Sequence, residues 1–142
     1  MDFFTAMEVS ASGLGAERSR MNVAASNLAN ASTTRSAGGG PYRRKDVVLS
    51  SVAVPGTPTS GPAANAVRGV AVSQIVQDAA PPRLEYDPGH PDANAQGYVA
   101  YPNVNPVEEM VDMITASRAY EAGVTALTTA VGMAERALSI GK

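Results

Sequence analysis

The 142-residue chain contains no cysteine and no tryptophan, only one histidine, two phenylalanines and five tyrosines. Without cysteine there is no disulfide framework, no thiolate nucleophile and no Cys-ligated zinc or iron–sulfur site. A single histidine excludes a centre built on two or three imidazoles. The formal charge of −2 argues against a whole-domain nucleic-acid binder, which is strongly basic. No window approaches the roughly 20 apolar residues of a membrane span. Apolar residues make up 44% of the chain, but 25 of them are alanine and aromatics reach only 5%, so large core-filling side chains are scarce. A core of alanine buries little area, at roughly 25 cal/mol per Å², and the isolated chain is expected to be weakly stable.

The start of the chain carries acids at Asp2 and Glu8 and lacks the basic n-region and apolar stretch of a Sec signal. The expectation is a soluble cytosolic protein, or export by a machine that uses no cleaved signal.

Proline supplies the main organisational signal. All ten prolines lie between Pro41 and Pro106. Proline in a helix interior costs about 3 kcal/mol, so the two ends are free to be long helices and the middle is not. The expected fold class is α+β, with three segments: an N-terminal helix in 1–37, a central β-ribbon and Pro/Gly-rich region in 38–105, and a C-terminal helix in 106–142 that pairs with the first in a coiled-coil-like bundle.

In the first segment Met7, Leu14, Met21 and Leu28 recur every seven residues, accompanied by Phe4, Ala11 and Ala25. Asp2 or Thr5 can cap this helix, and Thr5 has Glu8 at capping-box spacing. The helix is expected to end near Thr33. In the last segment Asn105 is an N-cap, Pro106 the first helical residue, and Glu108 and Glu109 suit the positive end of the helix dipole. Met110, Ser117, Val124, Val131 and Leu138 share one heptad position, and Met113, Tyr120, Leu127 and Ala134 another. Gly141 is a plausible stop.

In the middle, Val47–Val54 and Val70–Val76 read as a two-stranded ribbon around a polar loop, Pro55–Ala66. Arg83–Tyr86 and Tyr98–Tyr101 read as further short strands. Such a ribbon is marginal alone in water.

Sites of chemistry are sparse. Asp87-Pro88-Gly89-His90-Pro91-Asp92 brings two carboxylates and the imidazole together, yet its prolines and glycine read better as a rigid turn. Gly38-Gly39-Gly40-Pro41 lacks the Gly-Lys-Ser/Thr of a phosphate loop and reads as a hinge. Arg43-Arg44-Lys45 reads as a solvated or subunit-facing basic patch. The methionines at 7, 21, 110 and 113 suit either core packing or an adaptable subunit surface. Asn22, Asn27 and Asn30, mediocre helix formers, suit either contacts across a subunit boundary or solvent exposure. Nothing forms an active site: no cofactor, metal or small-molecule substrate is expected. Helical stripes that one helix pair shields poorly point to an assembly protein.

Particular residues sharpen this. Ser10-Ala11-Ser12-Gly13-Leu14 through Ala24-Ala25-Ser26-Asn27-Leu28-Ala29-Asn30 resembles the N-terminal signature of bacterial flagellar axial proteins of rod and hook. Gly39-Gly40-Pro41-Tyr42-Arg43-Arg44-Lys45 is similar to the stretch that follows that helix in proximal rod members of the family. So are Tyr86-Asp87-Pro88 with His90-Pro91-Asp92, and Gly97-Tyr98-Val99 with Tyr101-Pro102-Asn103-Val104-Asn105-Pro106-Val107. Glu109-Met110-Val111-Asp112-Met113-Ile114 and Ser117-Arg118-Ala119-Tyr120-Glu121-Ala122 complete the pattern. One departure is Gly123, where the family commonly has Asn; it is expected to loosen the helix and remove an amide contact.

The resemblance implies a non-enzymatic structural subunit of the basal-body proximal rod, a drive shaft transmitting torque across the periplasm. It implies assembly with other copies and other rod proteins, contact with the adaptor and membrane ring at the rod base, and passage through the flagellar type III export apparatus. The helix stripes would be the assembly contacts. The rival readings are another axial rod component with the same terminal-helix plan, or a wall-active hydrolase using His90.

Overall fold

A computed structural model describes residues 3–54 and 67–141. In chain order the elements are α1 (Phe3–Ala29), β1 (Lys45–Ala53), β2 (Arg68–Gln77), β3 (Arg83–Tyr86), β4 (Tyr98–Tyr101) and α2 (Pro106–Ile140). The fold is α+β: terminal helices pack together, and β1 with β2 and β3 with β4 each form a two-stranded sheet. The capping candidate Asp2 and the loop Pro55–Ala66 lie outside the described residues.

The chain resolves into two compact units, and each draws on both helices and on the centre. One comprises 1–19, 48–74 and 115–142; the other comprises 20–47 and 75–114.

In the first unit the packing is built on small residues. Ala16, Gly69 and Ala116 are buried, with Val54. Ser12 Oγ donates to Val9 O at 2.7 Å and accepts from Val70 N at 3.1 Å, so α1 holds the backbone of β2 through one hydroxyl. A Cβ on Gly69 would stand 3.0 Å from that oxygen. Leu14 reaches α2 at Gly123, where an added Cβ would lie 2.8 Å from Leu14 Cδ2. Gly123 is therefore the recess that Leu14 fills, and its role here is packing.

In the second unit α1 ends at Ala29, earlier than the expected Thr33. Asn30 stops it: its side-chain amide donates to Ser26 O at 2.8 Å, and its backbone N–H is shared between Ser26 O and Asn27 O. The chain then turns through Gly39 and Gly40, both at positive φ (78° and 74°), a region open to glycine at little steric cost. Antiparallel β3 and β4 pair Arg83 with Tyr101 through Tyr86 with Tyr98. Their turn closes at Gly97 (φ 83°), where a Cβ would sit 2.9 Å from the Tyr86 ring. Val99 is completely buried, as is Pro102. Asn105 caps α2 as expected, accepting from Val107 N at 3.1 Å.

Two glycines of α2 separate packing from propensity. A Cβ added at Gly132 would meet nothing within 4 Å, so Gly132→Ala should stabilise the chain by about 0.5–1 kcal/mol through helix propensity. Gly123→Leu should destabilise it by about 1–3 kcal/mol through overpacking against Leu14. Urea unfolding of the two variants checks both signs.

Candidate functional site

The most constrained cluster lies in the second unit, where α1, the start of β1 and the first turns of α2 meet around Asn27. Asn27 is 1% exposed and Glu109 also 1%. An amide offers two N–H donors and two acceptor lone pairs, and Asn27 uses all four. Its Nδ2 donates to Lys45 O at 2.8 Å and to Glu109 Oε2 at 3.0 Å. Its Oδ1 accepts from Lys45 N and from the Tyr42 hydroxyl, each at 2.9 Å. The side chain thus engages both polar backbone groups of Lys45 as a neighbouring strand would, and fixes where β1 begins.

Glu109 completes the lock. Its other carboxylate oxygen accepts from Arg44 Nε at 2.5 Å, while Arg44 also pairs with Asp46 and lies 3.8 Å from Asp112. Burial disfavours the charge on Arg44, but the hydrogen bonds to Glu109 and Asp46 outweigh it and raise the guanidinium pKa above its ordinary value. Among the described residues no buried side-chain N or O is left without a partner. The adjoining cleft holds about 60 Å³, far below the several hundred Å³ of a ligand pocket. The lock has the chemistry of a structural joint.

A second polar joint ties the 87–92 turn to the segment after α1. Asp92 accepts from Thr34 Oγ1 at 2.8 Å and pairs with Arg35. Within the turn, Asp87 Oδ1 accepts from Gly89 N at 3.2 Å and His90 Nδ1 from Asp92 N at 3.1 Å. The Thr34 hydrogen bond, with the charge of Arg35, holds the Asp92 carboxyl below its ordinary range. Among the described residues no three of His, Cys, Asp or Glu converge as metal ligands.

The sequence motifs distribute as follows. Asn27 and Tyr42 meet in the lock. Asn30 ends α1 and also accepts from Thr33 Oγ1 at 3.2 Å. Asn22 is exposed. The three asparagines therefore do three different things. The basic triplet is no single patch: Arg43 is exposed, Arg44 is in the lock, and Lys45 Nζ lies 5.7 Å from the Tyr42 ring centroid. Pro41 is half-buried beside Gly40, Asp87 and Pro88 are exposed in their turn, and Tyr98 stacks edge-on against Tyr86. Asn103, Pro106, Arg118 and Glu121 are exposed.

The helix stripes divide sharply. Met7, Leu14, Met21 and Leu28 are half-buried, as are Met113, Tyr120 and Leu127. Met110, Val124 and Leu138 are exposed, and Val131 is half-buried. Alongside Met113, Tyr120 and Leu127, the covered side of α2 carries Glu109 and then the small residues Ala116, Gly123 and Ala130 at seven-residue spacing, a row that a search for large apolar residues passes over. Glu109 reads as a dipole acid in sequence; a carboxylate buried in a helix leaves no periodic signal.

Removing one partner of a buried charge-assisted network is expected to cost about 3–5 kcal/mol. Asn27→Ala and Glu109→Ala should each lose stability on that scale in urea unfolding. Glu109→Gln keeps an acceptor for Arg44 and should lose distinctly less. The Asp92 joint adds a pH dependence. A carboxyl held low in the folded state stabilises it above the unfolded value, and that contribution disappears as pH falls through the folded value. The difference in thermal midpoint between the parent chain and Asp92→Asn should be present at pH 7 and vanish in acid.

Comparison with known families points the same way. Residues 7–35 match the family described as flagella basal body rod protein, and residues 95–140 match the C-terminal family of the flagellar basal body rod FlgEFG proteins. Among the curated relatives, the flagellar basal-body rod protein FlgC of Bacillus subtilis is 48% identical, with both chains covered in full. That of Borreliella burgdorferi is 43% identical over 99% of this chain and 98% of its own. That of Escherichia coli O157:H7 is 42% identical over the whole of both. With such identity along its entire length, the chain belongs to the FlgC family of flagellar basal-body rod proteins.

Proposed function

We propose that this chain is a structural subunit of the bacterial flagellar basal body, built into the proximal rod with other copies of itself and with other rod proteins. The observation that carries this reading is the exposed apolar side of α2 near its start. Val107, Met110, Val111 and Ile114 follow i, i+3, i+4, i+7 spacing and are 66%, 45%, 56% and 52% exposed. A contiguous apolar ridge of this kind on a helix marks a surface meant for another protein.

On this reading the ridge is a subunit contact, and the rod it helps build carries torque across the periplasm because a close-packed interior is stiff. Its neighbours at the base are the adaptor and membrane ring, and it reaches the rod through the flagellar type III export apparatus without a cleaved signal. No helix of the described residues is long and apolar enough to cross a membrane. The role is mechanical rather than catalytic, with the His90 turn acting as a brace.

Asp at position 111 or 114 places a charge on the ridge without touching the lock. Val111→Asp and Ile114→Asp should leave cellular levels of the protein unchanged and abolish motility and rod assembly, whereas Ile114→Leu should retain both. Normal swimming by the two Asp variants would overturn the assignment of the ridge. His90→Ala should retain motility; if it instead removed a measurable wall-hydrolysing activity, the mechanical reading would give way to an enzymatic one.

A further inference from the structure

The ribbon of β1 and β2 is not explained by the lock or the α2 ridge. From Val47 to Gln77 the chain carries a single charged residue, Arg68. That guanidinium lies against Ser51, hydrogen-bonded to its hydroxyl and, at 2.8 Å, to its carbonyl oxygen. β1 and β2 run for 9 and 10 residues, and among the described residues each has a strand partner on one side only. Val48, Leu49, Val52, Val72 and Ile75 remain exposed on them.

A free strand edge presents unpaired N–H and C=O groups to any other strand. Proteins ordinarily blunt such edges with short strands, charges or prolines. The β3–β4 hairpin of this chain does so: its strands are four residues long, β3 carries Arg83 and Glu85, and Pro102 follows β4. β1 and β2 use none of these devices along their length beyond the charged residues at their ends. Ser12 Oγ takes the Val70 N–H near the start of β2 and Arg68 takes the Ser51 carbonyl; the remaining stretches are long, neutral and apolar-sided beside a protected hairpin, as edges built to be paired would be.

We propose that these two edges join copies of this chain, β1 of one copy adding alongside β2 of the next to extend a common sheet. The occupant must bring a strand with a free edge, and a neutral one matches this ribbon best, since from Val47 to Gln77 only Arg68 offers a charge to pair with. The chain itself supplies two matching neutral edges. Pairing β1 with β2 leaves one free β1 and one free β2 at the ends, so addition repeats without closing, as an open polymer requires. The inference rests on the reading of the chain as a rod subunit.

The cysteine-free sequence permits a direct test. Val48→Cys and Val72→Cys, separately tagged and each first shown to support motility, are coexpressed, and isolated basal bodies are treated with a short bis-maleimide. Ser50→Cys with Gln74→Cys replaces any variant that fails the motility check. The expected result is a covalent dimer joining the two tags, several-fold above any dimer within one tag. Leu49→Lys added to the Val48→Cys chain should reduce it to the single-tag level. Dimers within one tag at equal yield, adducts only with a different protein, or no adducts at all would overturn the proposal. Absence of the chain from basal bodies would overturn the rod-subunit reading instead; the same crosslinking on mixed purified full chains would then decide the edge pairing by itself.

Discussion

One side-chain amide sets the geometry on which the second unit depends. Asn27 emerges from α1 and uses its full hydrogen-bonding capacity on Lys45, Tyr42 and Glu109. Buried polar groups cost free energy unless satisfied, so the position tolerates only one arrangement of its surroundings. α1 must present Asn27 inward, the chain must turn back so that Lys45 lies beside it, and α2 must begin early enough to bring Glu109 within reach. An apolar contact at the same place would stabilise many arrangements about equally. The amide discriminates among them, and the ribbon starts at a defined residue as a consequence.

Around that joint the two sides of α2 follow opposite rules. Where it is covered, α2 carries Met113, Tyr120 and Leu127 with the small residues Ala116, Gly123 and Ala130, and Gly123 receives Leu14. Where it is open, it places Val107, Met110, Val111 and Ile114. The covered side mixes large and small residues, whereas the open side near the start of α2 carries large apolar ones. The contrast gives the helix a close intramolecular fit on one side, at Gly123 and Leu14, and exposed apolar area on the other.

This contrast also explains what was legible in the sequence. The proline partition and the heptad spacing located both helices, because those signals report backbone constraint and side-chain periodicity. Alternating valines located the ribbon, and the Asn105-Pro106 pair located the start of α2. The side of α2 that turns inward was only half readable. Met113, Tyr120 and Leu127 are covered as their spacing suggests, but the companion row is made of alanine and glycine, which carry almost no hydrophobic signal. The lock was invisible for a different reason. Its members lie 18 and 82 residues apart, and no local pattern connects an asparagine in one helix to a glutamate in another. Gly123 illustrates the same limit: read within its own helix it is a weakness, and only Leu14 from the other helix turns it into a fitted recess.

The long separations bear on when the chain can fold. Neither unit is a continuous piece of sequence, since each takes residues from α1, the centre and α2. The Asn27–Glu109 contact closes a loop of about 80 residues, and the entropy of closing a loop must be met before its contacts give anything back. The fully buried apolar residues among those described are few and half of them are alanine, so little local burial is available to drive early structure. Folding must therefore wait until Glu109 and the covered side of α2 are present together with α1. This is a consequence of topology, since both ends of the chain contribute to each unit. Order arises late, from both ends at once, and apolar area on α2 and the ribbon stays exposed when it is complete.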